Sequence, residues 1–316
     1  MQFAVEAWDP DYGTGGDTEG LDPSTDVVDL SVEVHPDQWE AIDPASRELG
    51  TIYFVDGVRR IDARIWVTDP HGRVLPGSCA TVAAGSVACS PGLASLHDWA
   101  VNRVVLTPPT PTASTISTEF GDYKHVEITT GSPEDLYLGI HEEMTRLETK
   151  TVPKVDEEDL VVFDGPLRGR RQPGSVGIIK TQHVQYLDGH PLDVVPQLEP
   201  GQRTPLFQIG VGRFARLSWY LRLPGPRTHG WAGIIRCEAP AIDGTSASGF
   251  ADGVSSALPR FASEPHKESR APQNLYPIAG LERALRARLG DQRLLQRALR
   301  RAASNATTAS LSSPST

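Results

Sequence analysis

Two short apolar runs end in the same dipeptide, Ile52-Tyr53-Phe54-Val55-Asp56-Gly57 and Leu160-Val161-Val162-Phe163-Asp164-Gly165, and a helical stretch carrying Glu148 lies between them. A run rich in Val and aromatics and bounded by Gly reads as a buried strand. A carboxylate at its end sits at the mouth of the core, where burying it alone is costly. Divalent cations held by oxygen ligands offset such a cost. Asp, Glu and Asp on strand, helix and strand suit metal-assisted phosphodiester hydrolysis, in which two ions roughly 3.5–4 Å apart activate water, polarise the phosphate and stabilise the leaving oxygen. All-oxygen donors favour Mn²⁺ or Mg²⁺ over zinc. Asp-Gly is also a common hairpin dipeptide, so turn chemistry competes with this reading. Pro166 directly after Asp164-Gly165 counts against a two-residue hairpin into a paired strand.

The elements that must position these acids follow from periodicity. Arg60–Val67 alternates, with Ile61, Ala63, Ile65 and Val67 as the apolar face of a half-buried antiparallel strand. Ser78–Cys89, Asp98–Thr107 and Tyr123–Thr129 extend the series. Ser132-Pro133-Glu134-Asp135 opens a helix with an N-cap Ser, an early Pro and acids in the first turn. Leu136, Ile140, Met144 and Leu147 form its buried face, with Glu148 at the edge and Glu142 and Glu143 turned toward solvent. Further strands are expected over Val176–Thr181, Pro205–Gly210, Leu217–Leu223 and Trp231–Glu238. Leu281, Leu285 and Leu289, then Leu294, Leu295 and Leu299, mark two C-terminal helices separated by Gly290-Asp291.

A helical return to a strand beside the first implies parallel pairing. Asp56 and Asp164 are then expected at one sheet edge, within reach of a shared metal and facing Glu148. The expected fold is α/β: a ribonuclease H-like mixed sheet flanked by helices, with C-terminal helices added.

Charge is uneven along the chain. Residues 1 to 46 hold twelve Asp and Glu and no Lys or Arg, so the net of -10 leaves the remainder at +2, with 30 basic against 28 acidic residues. The body is therefore compatible with a nucleic-acid partner although the chain as a whole is acidic. Residues 1–46 read as an acidic, partly flexible leader, 47–301 as the nuclease domain and 302–316 as a disordered tail. The leader is read as solvated surface, with phosphate mimicry and docking to a basic partner as alternatives. Cys79, Cys89 and Cys237 match neither a disulfide framework nor a zinc site and are expected as reduced, buried thiols. No run approaches membrane-helix length and no basic n-region opens the chain, so a cytoplasmic protein without a membrane association is expected. No Gly-x-x-x-x-Gly-Lys-Ser/Thr loop occurs, so any ATP-driven strand opening has to come from a partner.

Tyr53-Phe54-Val55-Asp56-Gly57-Val58-Arg59-Arg60, Met144-x-x-Leu147-Glu148 and Val161-Val162-Phe163-Asp164-Gly165-Pro166-Leu167 resemble the conserved blocks of the NurA nuclease family. So do Pro265-His266-Lys267 and Ala271-Pro272-Gln273-Asn274-Leu275-Tyr276-Pro277. The resemblance is closest to the bacterial branch. It implies Mn²⁺-dependent single-strand endonuclease and 5′-to-3′ exonuclease activity, a homodimer, and partnership with the hexameric HerA translocase in DNA-end processing during double-strand break repair. It also implies that Asp56, Glu148 and Asp164 are the metal-binding acids, and that Tyr276 is a C-terminal Tyr near the site. The family pattern carries a His shortly after that Tyr, where this chain has Ala284. His266 is the candidate to replace it in catalysis, expected to approach the three acids.

Arg59, Arg60 and Lys180 follow the two acids closely enough to hold phosphate oxygens. Arg168, Arg170 and Arg171 form a basic loop past Asp164 suited to a DNA backbone, and Lys267 joins them as a DNA contact. Trp219, Tyr220 and Trp231 read as core or sheet-face packing, with base stacking as the alternative. Two rival functions share the fold: a degenerate member that binds DNA or a partner without cutting it, and an actin- or sugar-kinase-like ATPase, for which no internal duplication is found.

Overall fold

β-Branched and aromatic runs become strands here, and Leu- and Ala-rich stretches become helices, in an α/β arrangement of mixed sheet and flanking helices. The computed structural model describes residues 22–69, 71–111, 113–167, 169–182, 184–212, 215–241 and 246–312. Its first strands are β1 (Asp22–Pro23), β2 (Val28–Asp29), β3 (Ile52–Thr68), β4 (Val74–Ser90), β5 (Leu93–Thr107), β6 (Ile116–Thr118) and β7 (Gly121–Glu127). Helix α1 (Pro133–Lys150) precedes β8 (Leu160–Asp164), β9 (Ser175–Ile179), β10 (Val184–Gln185) and α2 (Gly189–Val194). Then come β11 (Phe207–Ile209), β12 (Arg216–Arg222), β13 (Ile234–Pro240), α3 (Ser246–Ala257), α4 (Tyr276–Arg288) and α5 (Gln292–Ser312). Packing divides the chain into two units. Of the described residues, one holds those up to Phe54, Val87–Ser95 and Pro153–Gly280, and the other holds Val55–Ser86, Leu96–Val152 and those from Leu281 on.

In the first unit the strands run in the order β2, β11, β12, β13, β9, β8 and the start of β3. β12 and β13 are antiparallel with Trp219 beside Cys237, whereas β8 and β9 are parallel with Asp164 beside Ile178. Gly50 N–H donates to Glu158 O at 2.8 Å and Leu160 N–H to Thr51 O at 3.1 Å, the ascending register of a parallel pair. Side chains alternate across this sheet. Leu217, Trp219 and Leu221 join Phe54, Val162 and Ile178 on one face under α3, and Tyr220 joins Phe207 and Trp39 on the other. Both faces are covered, which explains why Leu160–Phe163 is an unbroken apolar run. The acidic stretch is partly built into this unit. Glu33 takes two hydrogen bonds of 2.8 Å from the buried Arg203, while Asp26 meets Arg216 at 3.3 Å. Residues 1–21 lie outside the described residues.

The second unit orders its strands β3, β4, β5, β7 and β6, with β5 parallel to β7 and β6 antiparallel to it. α1 lays Ile140, Met144 and Leu147 on Ala80, Val82, Ala84, Val104 and Leu106. Its N-cap is Ser132, whose side chain accepts from Asp135 N, as the sequence signals. Gly139 makes the close approach possible, since a Cβ there would stand 2.6 Å from Leu106 Cδ2. Gly290, at φ 81°, ends the α4 segment, and Asp291 caps α5 by accepting from Leu294 N at 2.9 Å.

Several expectations are corrected. Asp56-Gly57 is no turn: β3 runs unbroken for 17 residues. Beyond it the expected alternation holds for Ala63 and Ile65, which pack against a buried cluster, and is reversed only at Ile61 (44 % exposed) and Asp62 (2 % exposed). Asp62 is tolerated inside because Arg60 Nε and Tyr123 OH each donate to it at 2.9 Å, and Thr81 Oγ1 donates as well. Burial, with Asp62 nearby, pushes the Cys79 thiol up to about 12. All three cysteines are free and buried, as expected. Glu143 is buried against α1's own Arg146 instead of facing water. α5 is helical to Ser312, past the point where a disordered tail was expected, in a stretch whose alanines favour helix. Residues 313–316 lie outside the described residues. No helix among the described residues is long and apolar enough to cross a membrane.

Candidate functional site

The second unit carries two of the three expected acids. Asp56 is 9 % exposed and Glu148 6 % exposed. Asp56 Oδ1 accepts from the N–H of Gly57 at 2.7 Å. A Cβ on Gly57 would stand 2.5 Å from Glu148 Oε1 and 2.6 Å from Met144 Cγ. Glycine is needed at this position so that α1 can press the Glu148 carboxylate against the strand beside Asp56. Glu148 occupies the last helical turn, where the helix dipole disfavours an anion and rewards a nearby cation.

The basic residues after Asp56 are engaged within this unit. Arg59 lies 4.5 Å over the Tyr137 ring, with its Nη1 2.7 Å from His141 Nε2. Arg60 bonds Asp62 and donates to Gly290 O at 2.8 Å and Leu289 O at 3.2 Å, tying β3 to the end of α4. Its guanidinium is committed to the fold.

Asp164 belongs to the first unit. It closes β8, and Gly165 follows at φ 95°, a left-handed conformation that favours glycine. Lys180, 8 % exposed, donates to Asp164 Oδ2 at 2.7 Å and to Asn274 Oδ1 at 2.8 Å. Asn274 was not singled out from sequence, although it sits in the block that contains Tyr276.

His266, Lys267 and Tyr276 gather around a different acid, Glu264. Lys267 Nζ donates to Glu264 Oε2 at 2.8 Å and Tyr276 OH donates at 3.0 Å, while His266 Nε2 stands 3.7 Å away. The hydrogen bond from Lys267, then that from Tyr276, holds the Glu264 carboxyl below its ordinary range. The same carboxylate raises Lys267. His266 is exposed.

Around Asp164 the first unit opens a cavity of about 920 Å³. Arg170, Arg171, Lys180, Arg216, Arg236 and Arg270 line it, against only Asp164 and Glu238 as carboxylates among the described residues. Glu238 is 1 % exposed. Arg236 Nη1 donates to Glu238 Oε1 at 2.6 Å, Arg216 Nε donates to the same oxygen at 3.0 Å, and Leu167 N–H donates to Oε2 at 3.3 Å. Burial works to raise the Glu238 pKa, but the two guanidiniums hold it below the ordinary carboxylate value. Arg170 stacks 4.5 Å over Phe163. Arg168 lies outside the described residues.

The strand aromatics are core. Trp219 is fully buried and donates from Nε1 to Ser255 Oγ at 2.9 Å, and Tyr220 packs between Phe207 and Trp231. Glu238 and Arg236 were legible only as strand residues and Arg216 fell just before an expected strand, because no local spacing marks an ion triad that spans two strands. Among the described residues, no group of three or more His, Cys, Asp or Glu is gathered as a ready-made metal site.

No protein-family model matches the chain, and no curated protein matches it. Among solved structures it is similar to the NurA nuclease from Sulfolobus solfataricus, at 11 % identity and a TM-score of 0.45, over 78 % of this chain and 81 % of that one. It is also similar to endonuclease V from Bacillus subtilis, at 14 % identity and a TM-score of 0.30, over 82 % of this chain and 85 % of that one.

Proposed function

We propose that the chain is a divalent-metal-dependent deoxyribonuclease that acts on single-stranded DNA and DNA ends, as a homodimer and alongside a HerA-type translocase. The observation that carries the reading is the basic cavity at the end of β8, where Asp164 is held by the buried Lys180. Six cationic side chains around one strand-end carboxylate suit a polyanionic substrate.

Asp56, Glu148 and Asp164 are the proposed ligands of Mn²⁺ or Mg²⁺. Each is a carboxylate, the donor type that hard cations prefer, and Asp56 and Glu148 are almost wholly buried within the second unit. When bound, the metal supplies an acidified water and neutralises charge on the phosphate. The chain's own groups do the rest. Lys180, steered by Asn274, donates to a phosphate oxygen. Arg170 and Arg171 hold the backbone of the strand. Tyr276 and Lys267, linked through Glu264, offer a hydroxyl and an ammonium at the start of α4.

One observation favours the non-catalytic alternative: the Lys180 ammonium already neutralises Asp164. Incubating the purified protein with single-stranded DNA and Mn²⁺, with and without a chelator, separates the two. A nuclease degrades the strand only in the metal arm, whereas a binder retains DNA intact in both.

A further inference from the structure

Two buried donors in the wall of the first unit's cavity have no acceptor. Gln182 is 3 % exposed and Arg236 5 % exposed, and both line the cavity. Gln182 Nε2 and Arg236 Nε are both buried without a hydrogen-bond partner. Native folds rarely leave such groups unmatched, and orphaned donors on side chains that line a cavity point to a missing acceptor.

What kind of acceptor follows from the surroundings. The two carboxylates in the wall are already spoken for, Glu238 by Arg216 and Arg236, and Asp164 by Lys180. Glu238 also fixes the direction of Arg236, whose guanidinium lies 4.7 Å over the Tyr186 ring. The cavity is therefore lined by Gln182 and Arg236, each keeping a buried, unmatched donor, and by the exposed Arg171, with no free anion among the described residues to meet them. A neutral carbonyl would satisfy one donor and leave the positive excess. A phosphate dianion offers several acceptor oxygens and the matching charge. The volume of about 920 Å³ lies within the ~300–1,000 Å³ of small-ligand sites, room for a nucleotide-sized group.

We infer that this cavity is a phosphomonoester subsite, built by Gln182, Arg236 and Arg171, that takes the phosphorylated end of a nucleic-acid strand beside Asp164. The assignment to a strand end rests on the nuclease reading; the phosphate chemistry rests on the cavity alone.

The test is a binding titration of the full chain in chelator, so that no cleavage is required. The probes are one single-stranded DNA sequence carrying a 5′-phosphate, a 3′-phosphate or neither, with inorganic phosphate as competitor. Strand-end recognition predicts about tenfold tighter binding of one phosphorylated form over the unphosphorylated strand. Gln182→Leu is expected to remove most of that preference. Arg171→Ala, a surface change without risk to the fold, is expected to weaken it also. Competition by inorganic phosphate without any end preference would retain the phosphate site and reassign its ligand to a free phosphate. Equal binding of all three strands with no competition, or a preference untouched in both variants while circular dichroism stays native, overturns the subsite. Because the titration omits metal, a protein that discriminates ends but never cuts keeps the subsite and loses the nuclease reading. One that cuts without discriminating does the opposite.

Discussion

Gly57 shows how much one missing side chain can decide. Its neighbour Asp56 was legible from sequence as a carboxylate closing an apolar run, and Glu148 as the acid at the edge of a helical face. The reason for the glycine was not legible, because Glu148 and Met144 reach it from an element far along the chain. Gly57→Ala is expected to force those two side chains back, at about 1–3 kcal/mol of overpacking. A urea titration checks this, and an unchanged midpoint would show that the strand and helix have slack. The acid partnered by His266, Lys267 and Tyr276 was also hidden from sequence. Glu264 has no spacing signature and acquires its role only when Tyr276 folds back onto it.

At the scale of elements, strands and helices with strong periodicity were readable: α1 with its Ser132 cap, β8 as a buried run, and the α4–α5 break at Gly290-Asp291. α3 was not readable, since its Gly and Ser residues are poor helix formers and only packing on the sheet stabilises it. In the half of β3 beyond Asp56 the alternation held from Ala63 on and failed only at Ile61 and Asp62, where hydrogen bonds bury the carboxylate. The segment before the first sheet gives a quantitative prediction. Arg203 is 1 % exposed and relies on Glu33 and Asp252. Glu33→Gln should therefore cost about 1.5–3 kcal/mol at pH 7, because it removes the charged hydrogen-bond acceptor on one side of a buried guanidinium and leaves Asp252 as its carboxylate partner. Burial works to raise the Glu33 pKa, but Arg203 and the Leu206 N–H hold it below 4.5. A carboxyl with a depressed folded pKa contributes fully above its unfolded value and loses that contribution as pH falls through the folded one. The gap between wild type and variant in denaturant titrations should then shrink below about pH 4.5. A gap that persists undiminished at low pH would place the stabilisation elsewhere.

Taken over the whole molecule, charge is the feature that sequence shows best and that mean composition hides. Residues 1–26 carry seven acids and no Lys or Arg. Among the described residues of this segment, Asp26 meets Arg216, a residue of the basic cavity. Removing residues 1–26 is expected to raise affinity for single-stranded DNA several-fold at low salt. It should also steepen the fall of affinity with salt, since Arg216 gains a phosphate and releases a counterion. Identical salt slopes for the two proteins would leave the leader as solvated surface.

The central claim is that the strand-end and helix-end acids perform metal-dependent cleavage, and substitution of one carboxylate by its amide tests it most directly. Degradation of single-stranded DNA in Mn²⁺ should be compared for wild type and Asp164→Asn, each confirmed as folded by its thermal transition. The account predicts cleavage by wild type and no more than a few per cent of that rate in the variant, because the amide keeps the shape and removes the charged ligand. Near-wild-type cleavage by folded Asp164→Asn protein would contradict it.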